Sequence, residues 1–101
     1  MIFETLYDGA KRGELLLIDG GFCHWHLRQD GQLTIREIIA TRPGAGAAML
    51  EILKTKGASS IFAKCPVNLP SNHWYANRGF VCEGQELTKT GNVLNLWRLT
   101  L

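Results

Sequence analysis

Thr41-Arg42-Pro43-Gly44-Ala45-Gly46 sets two glycines and an arginine between a strand-like run, Leu33 to Ala40, and a helix-like run, Ala47 to Lys56. A glycine-rich turn at a helix start aims unpaired backbone N–H groups and the positive dipole end at one spot, which suits a phosphate. Glycine at 44 and 46 would let that phosphate reach the main chain, where a side chain would hold it off. The same glycines also serve plain strand-to-helix turns, so the loop alone leaves both readings open. His24 and His26 stand as His-x-His, but two ligands make a thin metal site. Their alternation with Cys23, Trp25 and Leu27 is that of a half-exposed strand, and no metal is expected. Cys23, Cys65 and Cys82 are odd in number and widely spaced, without Cys-x-x-Cys; reduced thiols packed in strands as small hydrophobes are expected.

The elements that must position these residues follow from periodicity and turn signals. Residues 1–13 read as a short helical lead-in. Glu14 to Asp19 is a strand ending in Asp19-Gly20-Gly21, and Phe22 to Arg28 a second one. After the Asp30-Gly31 hairpin turn comes Leu33 to Ala40, with Leu33, Ile35, Glu37 and Ile39 expected on one side. The helix over 47–56 carries its apolar stripe at i, i+3 and i+4 and stops at Gly57. Ser60 to Cys65 is a strand. Pro66 and Pro70 then bracket a loop, and Ser71 is expected to cap a helix over 72–78 that Gly79 ends. Phe80 to Thr88 and Val93 to Leu101 close the chain as a hairpin. This order predicts an α+β fold with a mixed sheet, whose 33–40 and 60–65 strands run parallel across a helix.

The 101 residues, 46% hydrophobic and 20% charged, fit one soluble globular domain spanning 1–101 and not a disordered chain. A net charge of +2 without a Lys/Arg run gives no indication of nucleic-acid binding. No stretch approaches the ~20 apolar residues that span a bilayer, so no membrane association and a cytoplasmic location are expected.

This arrangement resembles the GNAT superfamily of acyl-CoA-dependent N-acetyltransferases over roughly Leu15 to Leu101. The strand, Thr41–Gly46, helix sequence looks like the family's Gln/Arg-x-x-Gly-x-Gly/Ala pyrophosphate loop. Asn68, followed by His73-Trp74-Tyr75-Ala76-Asn77-Arg78-Gly79-Phe80, looks like its Asn, then Tyr-x-x-x-Gly-Phe. The chain departs in carrying Thr41 where the family has Gln or Arg, with Arg42 one place on. Pro43 also removes one N–H from the loop, and the N-terminal helices that usually help wall the acceptor site are reduced.

The resemblance implies a GNAT-like sheet of about six or seven strands with a βαβ coenzyme-binding core. Acetyl-CoA would be co-substrate and a primary amine the acceptor. Its pyrophosphate would lie on Gly44, Ala45, Gly46 and Ala47, with Thr41 and Arg42 beside it. Backbone N–H groups near Ile39 and Ala40 would hold the acyl oxygen. Asn68 would bond the pantetheine arm, with Asn72 close by in the first turn of the helix. Tyr75 would protonate the departing thiolate. Glu37 is the first candidate for the base, with His24 and His26 as alternatives; Glu37 as an exposed strand residue paired with Arg36 or Lys64 is the competing reading. A CoA-binding regulatory or assembly module without catalysis is the alternative function. The apolar Val93–Leu101 strand, taken as an edge, suggests a homodimer.

Overall fold

The computed structural model describes residues 2–101; Met1, the first residue of the expected lead-in, lies outside them. The lead-in forms helix α1 (Ile2–Lys11). It is followed by β1 (Leu15–Ile18), β2 (Gly21–Leu27), β3 (Gln32–Ala40), α2 (Ala45–Leu53), β4 (Ser60–Pro66), α3 (Ser71–Asn77), β5 (Val81–Leu87) and β6 (Val93–Thr100). The strands make one six-stranded sheet ordered β1-β2-β3-β4-β6-β5. Only β3 and β4 run parallel, joined across α2, so the expected α+β mixed sheet is present. No helix among the described residues is long and apolar enough to cross a membrane.

The apolar stripe of α2 explains where the core sits. Met49, Leu50 and Leu53 pack on Cys23, Leu33, Ile35, Ile61 and Ala63 of the central strands, and α3 adds Tyr75 beside Phe80 and Trp97. Each buried Met, Leu, Ile or Phe among them contributes about 1.5–3 kcal/mol. Helix α1 takes the opposite face, where its Gly9 lies against the His24 ring.

One irregularity in β3 decides how the site is built. Ile35 stands opposite Trp25 and Glu37 opposite His24, so Arg36 is an extra residue, a β-bulge. One inserted residue exchanges the faces of everything beyond it. Leu33 and Ile35 therefore point into the core, but Ile38 takes the next core position and Glu37 is exposed. The expected row of Leu33, Ile35, Glu37 and Ile39 on one side is thus broken after Ile35.

Other expectations are corrected by local chemistry. Helix α2 starts at Ala45, not at 47. Arg42–Ala45 is a tight turn in which the Ala45 N–H donates to the Arg42 carbonyl at 3.2 Å. Gly44 has φ 85 and ψ −12, the third-position geometry of a type II turn that favours proline just before it. Ser71 does not cap α3; Pro70, already helical at φ −61, precedes it, and no side-chain cap is made. The Ser71 hydroxyl instead lies 3.4 Å from the Cys65 sulfur. Strand β6 is not an edge, because it lies between β4 and β5. The edge on that side is β5, exposed along its length and kinked where Glu83 is the extra residue between Cys82 and Gly84. Cys23 and Cys65 are buried as expected, but Cys82, on that edge, is exposed.

Candidate active site

The parallel pairing of β3 with β4 runs only from Gln32–Ser60 to Ile35–Ala63. Beyond the bulge the two strands part and leave a wedge. A cavity of about 150 Å³ fills it, with Arg36, Glu37 and Ile38 on one wall, Lys64 and Cys65 on the other, and Ser71 and Tyr75 above. A second cavity of about 150 Å³ lies between the start of α2 and α3, lined by Ile38, Ala40, Gly46, Ser71, Trp74 and Tyr75. The two share Ile38, Ser71 and Tyr75, so they meet at the tyrosine.

Tyr75 is 4% exposed, edge-on to Trp74 and Phe80 and stacked on Trp97 at 6.2 Å between ring centroids. Its hydroxyl makes no hydrogen bond with any described residue. No fully buried side-chain nitrogen or oxygen among those residues lacks a partner, so this hydroxyl must open into the cavity. Burial, and then the thiols of Cys65 and Cys23, push the phenol well above its ordinary value. It stays a proton carrier at neutral pH.

At the mouth of the wedge, the loop differs from a bare run of donors. The Ala45 amide is used by the turn and Ala48 donates to Gly44. Gly46 and Ala47 are then the first-turn amides with no acceptor among the described residues, and the space around Gly44 is open. Gly46 is buried, and a Cβ there would lie 3.1 Å from Cζ2 and 3.2 Å from Nε1 of Trp74. Its first task is to admit the indole. Gly46→Ala is expected to force that ring outward and cost about 1–3 kcal/mol by overpacking, read as a lowered urea midpoint with a shift in tryptophan emission.

Thr41 and Arg42 fasten the loop to the turn between β1 and β2. The Thr41 N–H and hydroxyl both donate to the Gly20 carbonyl, at 2.7 and 3.2 Å. Arg42 pairs with Asp19, both side chains being largely exposed. Ile39 and Ala40 pair with Phe22 and Gly21 of β2, while their other edge has no β4 partner. Asn68 sits exposed in the turn after β4 and makes no side-chain hydrogen bond among the described residues.

Asn72 is fully engaged. Its Nδ2 donates to the carbonyls of Pro66 and Leu69, both at 2.8 Å, and its Oδ1 accepts from Trp97 Nε1 at 2.9 Å and Asn95 Nδ2 at 3.0 Å. It braces α3 against β4 and β6. Of the candidate bases, Glu37 touches the wedge from the far side of the sheet. His24 is buried opposite it, and His26 bonds Glu14. Reasoning from sequence missed Trp74, Ser71 and Cys65 in these walls. Only Trp74, beside the tyrosine motif, lay where a signal could have been read.

Titration adds a test of the packing. Burial pushes the Cys23 thiol from 9.0 up to about 12, and the Tyr75 phenol moves the same way. Both groups keep their protons longer in the folded state. Stability is therefore complete below about pH 9 and falls as pH rises toward 12, by on the order of 4 kcal/mol from Cys23 alone. Urea midpoints measured from pH 7 to 11 should show this fall, and Cys23→Ala should reduce it, leaving the share of Tyr75.

This wedge between two parallel strands, with a helix start at its mouth, belongs to the GNAT fold. An Escherichia coli ribosomal-protein-S18-alanine N-acetyltransferase superposes with TM-score 0.70 at 18% identity, covering 96% of this chain and 76% of that one. A Desulfovibrio desulfuricans protein assigned to the GNAT acetyltransferases gives 0.69 at 19% identity, covering 80% and 61%. A Bacillus anthracis protein assigned as a streptothricin acetyltransferase, solved with acetyl coenzyme A, gives 0.66 at 20% identity, covering 81% and 56%. The chain thus spans 61% and 56% of the lengths of the last two. No protein-family model matches the sequence, and no curated protein matches it.

Proposed function

We propose that this chain is a GNAT acyltransferase that moves an acetyl group from acetyl-CoA to a primary amine. The observation that carries the reading is the wedge itself: β3 and β4 part beyond Ile35 and Ala63, and the open Tyr75 hydroxyl stands at its apex. The relative solved with acetyl coenzyme A shares this fold, which supports the choice of donor.

The residues present fit the coenzyme. Its pyrophosphate rests on the Gly46 and Ala47 N–H groups, favoured by the dipole of α2, in the open space beside Gly44. Arg42 is within the same loop, and its exposed pair with Asp19 is weak enough for a phosphate to compete with it. Asn68 takes a pantetheine amide. The free edge of β3 at Ile39 and Ala40 offers N–H groups to the acyl oxygen, each such donor being worth about 3 kcal/mol. Glu37 accepts a proton from the attacking nitrogen as the N–C bond forms. The C–S bond breaks, and Tyr75 gives its proton to the departing sulfur. Asn72, with every polar atom used, is assigned to bracing and not to coenzyme contact.

A second reading, a coenzyme-binding module without turnover, is favoured by one observation. Trp74 lies against Gly46 and leaves a cavity of about 150 Å³, smaller than the roughly 300 Å³ at which small-molecule sites begin. The transferase reading requires that indole to move aside. Calorimetry with acetyl-CoA and acetyl-pantetheine tests the cradle: the fragment lacking the pyrophosphate should bind at least about tenfold more weakly. Equal affinities would sink it. Thiol release from acetyl-CoA with an amine panel separates transferase from module.

A further inference from the structure

The β3 bulge places two charges where the sheet has nothing to answer them. Six charged residues lie within the strands: Arg36, Glu37, Lys64, Glu83, Glu86 and Arg98. Lys64 pairs with Glu86 at 2.8 Å and Arg98 with Glu83 at 2.9 Å. The side chains of Arg36 and Glu37 make no ion pair or hydrogen bond with any described residue. They are neighbours in sequence, and Arg36 is the inserted residue itself. Bulges beside active sites commonly re-aim a side chain, and this one costs the sheet a ladder position.

Both side chains line the wedge below Tyr75 and also a groove of about 380 Å³ on the α1 face, which includes His24, Thr34 and Lys64. The wedge and the groove share Ile35, Arg36, Glu37 and Lys64 in their linings, so these residues border both. The groove's volume suits one small molecule. A carboxylate and a guanidinium lining one groove suit a molecule that carries an ammonium next to a carboxylate. Guanidinium in particular receives a carboxylate through two parallel hydrogen bonds.

We propose that the acceptor is a free α-amino acid or a close analogue, a small molecule carrying a carboxylate next to its amine. Arg36 holds the carboxylate and so determines specificity; Glu37 faces the amine. The proposal rests on the transferase reading. The reaction balances as before: the N–C bond forms, the C–S bond breaks, Glu37 takes the amine proton and the thiolate takes that of Tyr75.

The test follows thiol release from acetyl-CoA with each standard amino acid, its carboxamide and its decarboxylated amine. At least one acid should be used with kcat/KM tenfold or more above its carboxamide. Arg36→Gln should raise KM for that acid about tenfold, leave its kcat and the KM for acetyl-CoA unchanged, and leave the carboxamide's KM alone. Arg36→Lys should restore part of the loss. Acid and carboxamide used equally by the wild-type protein would overturn the assignment, and this comparison needs no variant to fold. Turnover of carboxylate-free amines alone would overturn it while leaving the transferase standing. Absence of both acetyl-CoA binding and turnover would overturn the transferase reading, and this one with it.

Discussion

Tyr75→Phe is expected to lower kcat for acetyl transfer by about 10²–10⁴-fold while acetyl-CoA affinity stays near wild type. The reasoning starts from what the hydroxyl does not do. It bonds no described residue, so its loss breaks no internal hydrogen bond, and the ring keeps its stack on Trp97 and its edge contacts with Trp74 and Phe80. Folding stability should scarcely change. What disappears is the proton carrier that the proposed mechanism sets at the apex of the wedge. A thiolate leaving into that low-dielectric space is raised in proton affinity by the same desolvation that raises the phenol, so transfer between them is not made harder by burial. A thousandfold loss corresponds to about 4 kcal/mol of barrier. The phenol's upward displacement also fixes the pH profile, since the tyrosine proton is present at every pH below about 10. No tyrosine limb should appear on the rate between pH 6 and 9, and any limb there belongs to the amine or its base. An unchanged kcat in the phenylalanine variant would remove Tyr75 from the chemistry.

Much of the scaffold was legible in local patterns. The α2 stripe of Met49, Ile52 and Leu53, the glycine turns and the closing hairpin all act over a few residues, and each produced the expected element. The Thr41–Gly46 loop and the Tyr75 segment stand out in the sequence because both are short and contiguous, and Gly46 and Tyr75 line one cavity. What was hidden depends on pairing between strands. Nothing in Gln32–Ala40 announces that Arg36 will be squeezed out of register with β2, yet that single insertion turns Glu37 away from the core and brings Ile38 to it. The place of β6 inside the sheet is likewise a matter of which strand β4 selects. Gly46 was read as room for a phosphate, and a ring from twenty-eight residues further along occupies part of that room. Asn72 was placed near the coenzyme by proximity in sequence, but its partners Asn95 and Trp97 lie on the last strand.

Asn72→Ala should be among the most damaging single changes in this chain, at on the order of 3–5 kcal/mol of stability. Four hydrogen bonds meet at one amide. Removing it leaves the Trp97 indole N–H, on a residue only 9% exposed, without an acceptor. An orphaned buried donor costs about 1–3 kcal/mol, and the Pro66 carbonyl loses its side-chain donor at the same time. A domain of this size has only about 5–15 kcal/mol in hand. Trp97→Phe separates bond from bulk: it deletes the N–H but keeps a ring against Tyr75, and Oδ1 of Asn72 still has Asn95. It should cost clearly less than Asn72→Ala. Asn72→Asp keeps the acceptor but turns an oxygen toward two carbonyls, and should be at least as harmful as alanine. Urea unfolding of the three variants orders them directly. If Asn72→Ala unfolded within about 0.5 kcal/mol of wild type, the usual range for a surface change, the tie from α3 to β6 would not be what holds the tyrosine over the wedge. Because Trp97 stacks on Tyr75, the alanine variant should also lose turnover under conditions where it remains folded, by the loosened placement of the one hydroxyl on which the proposed chemistry turns.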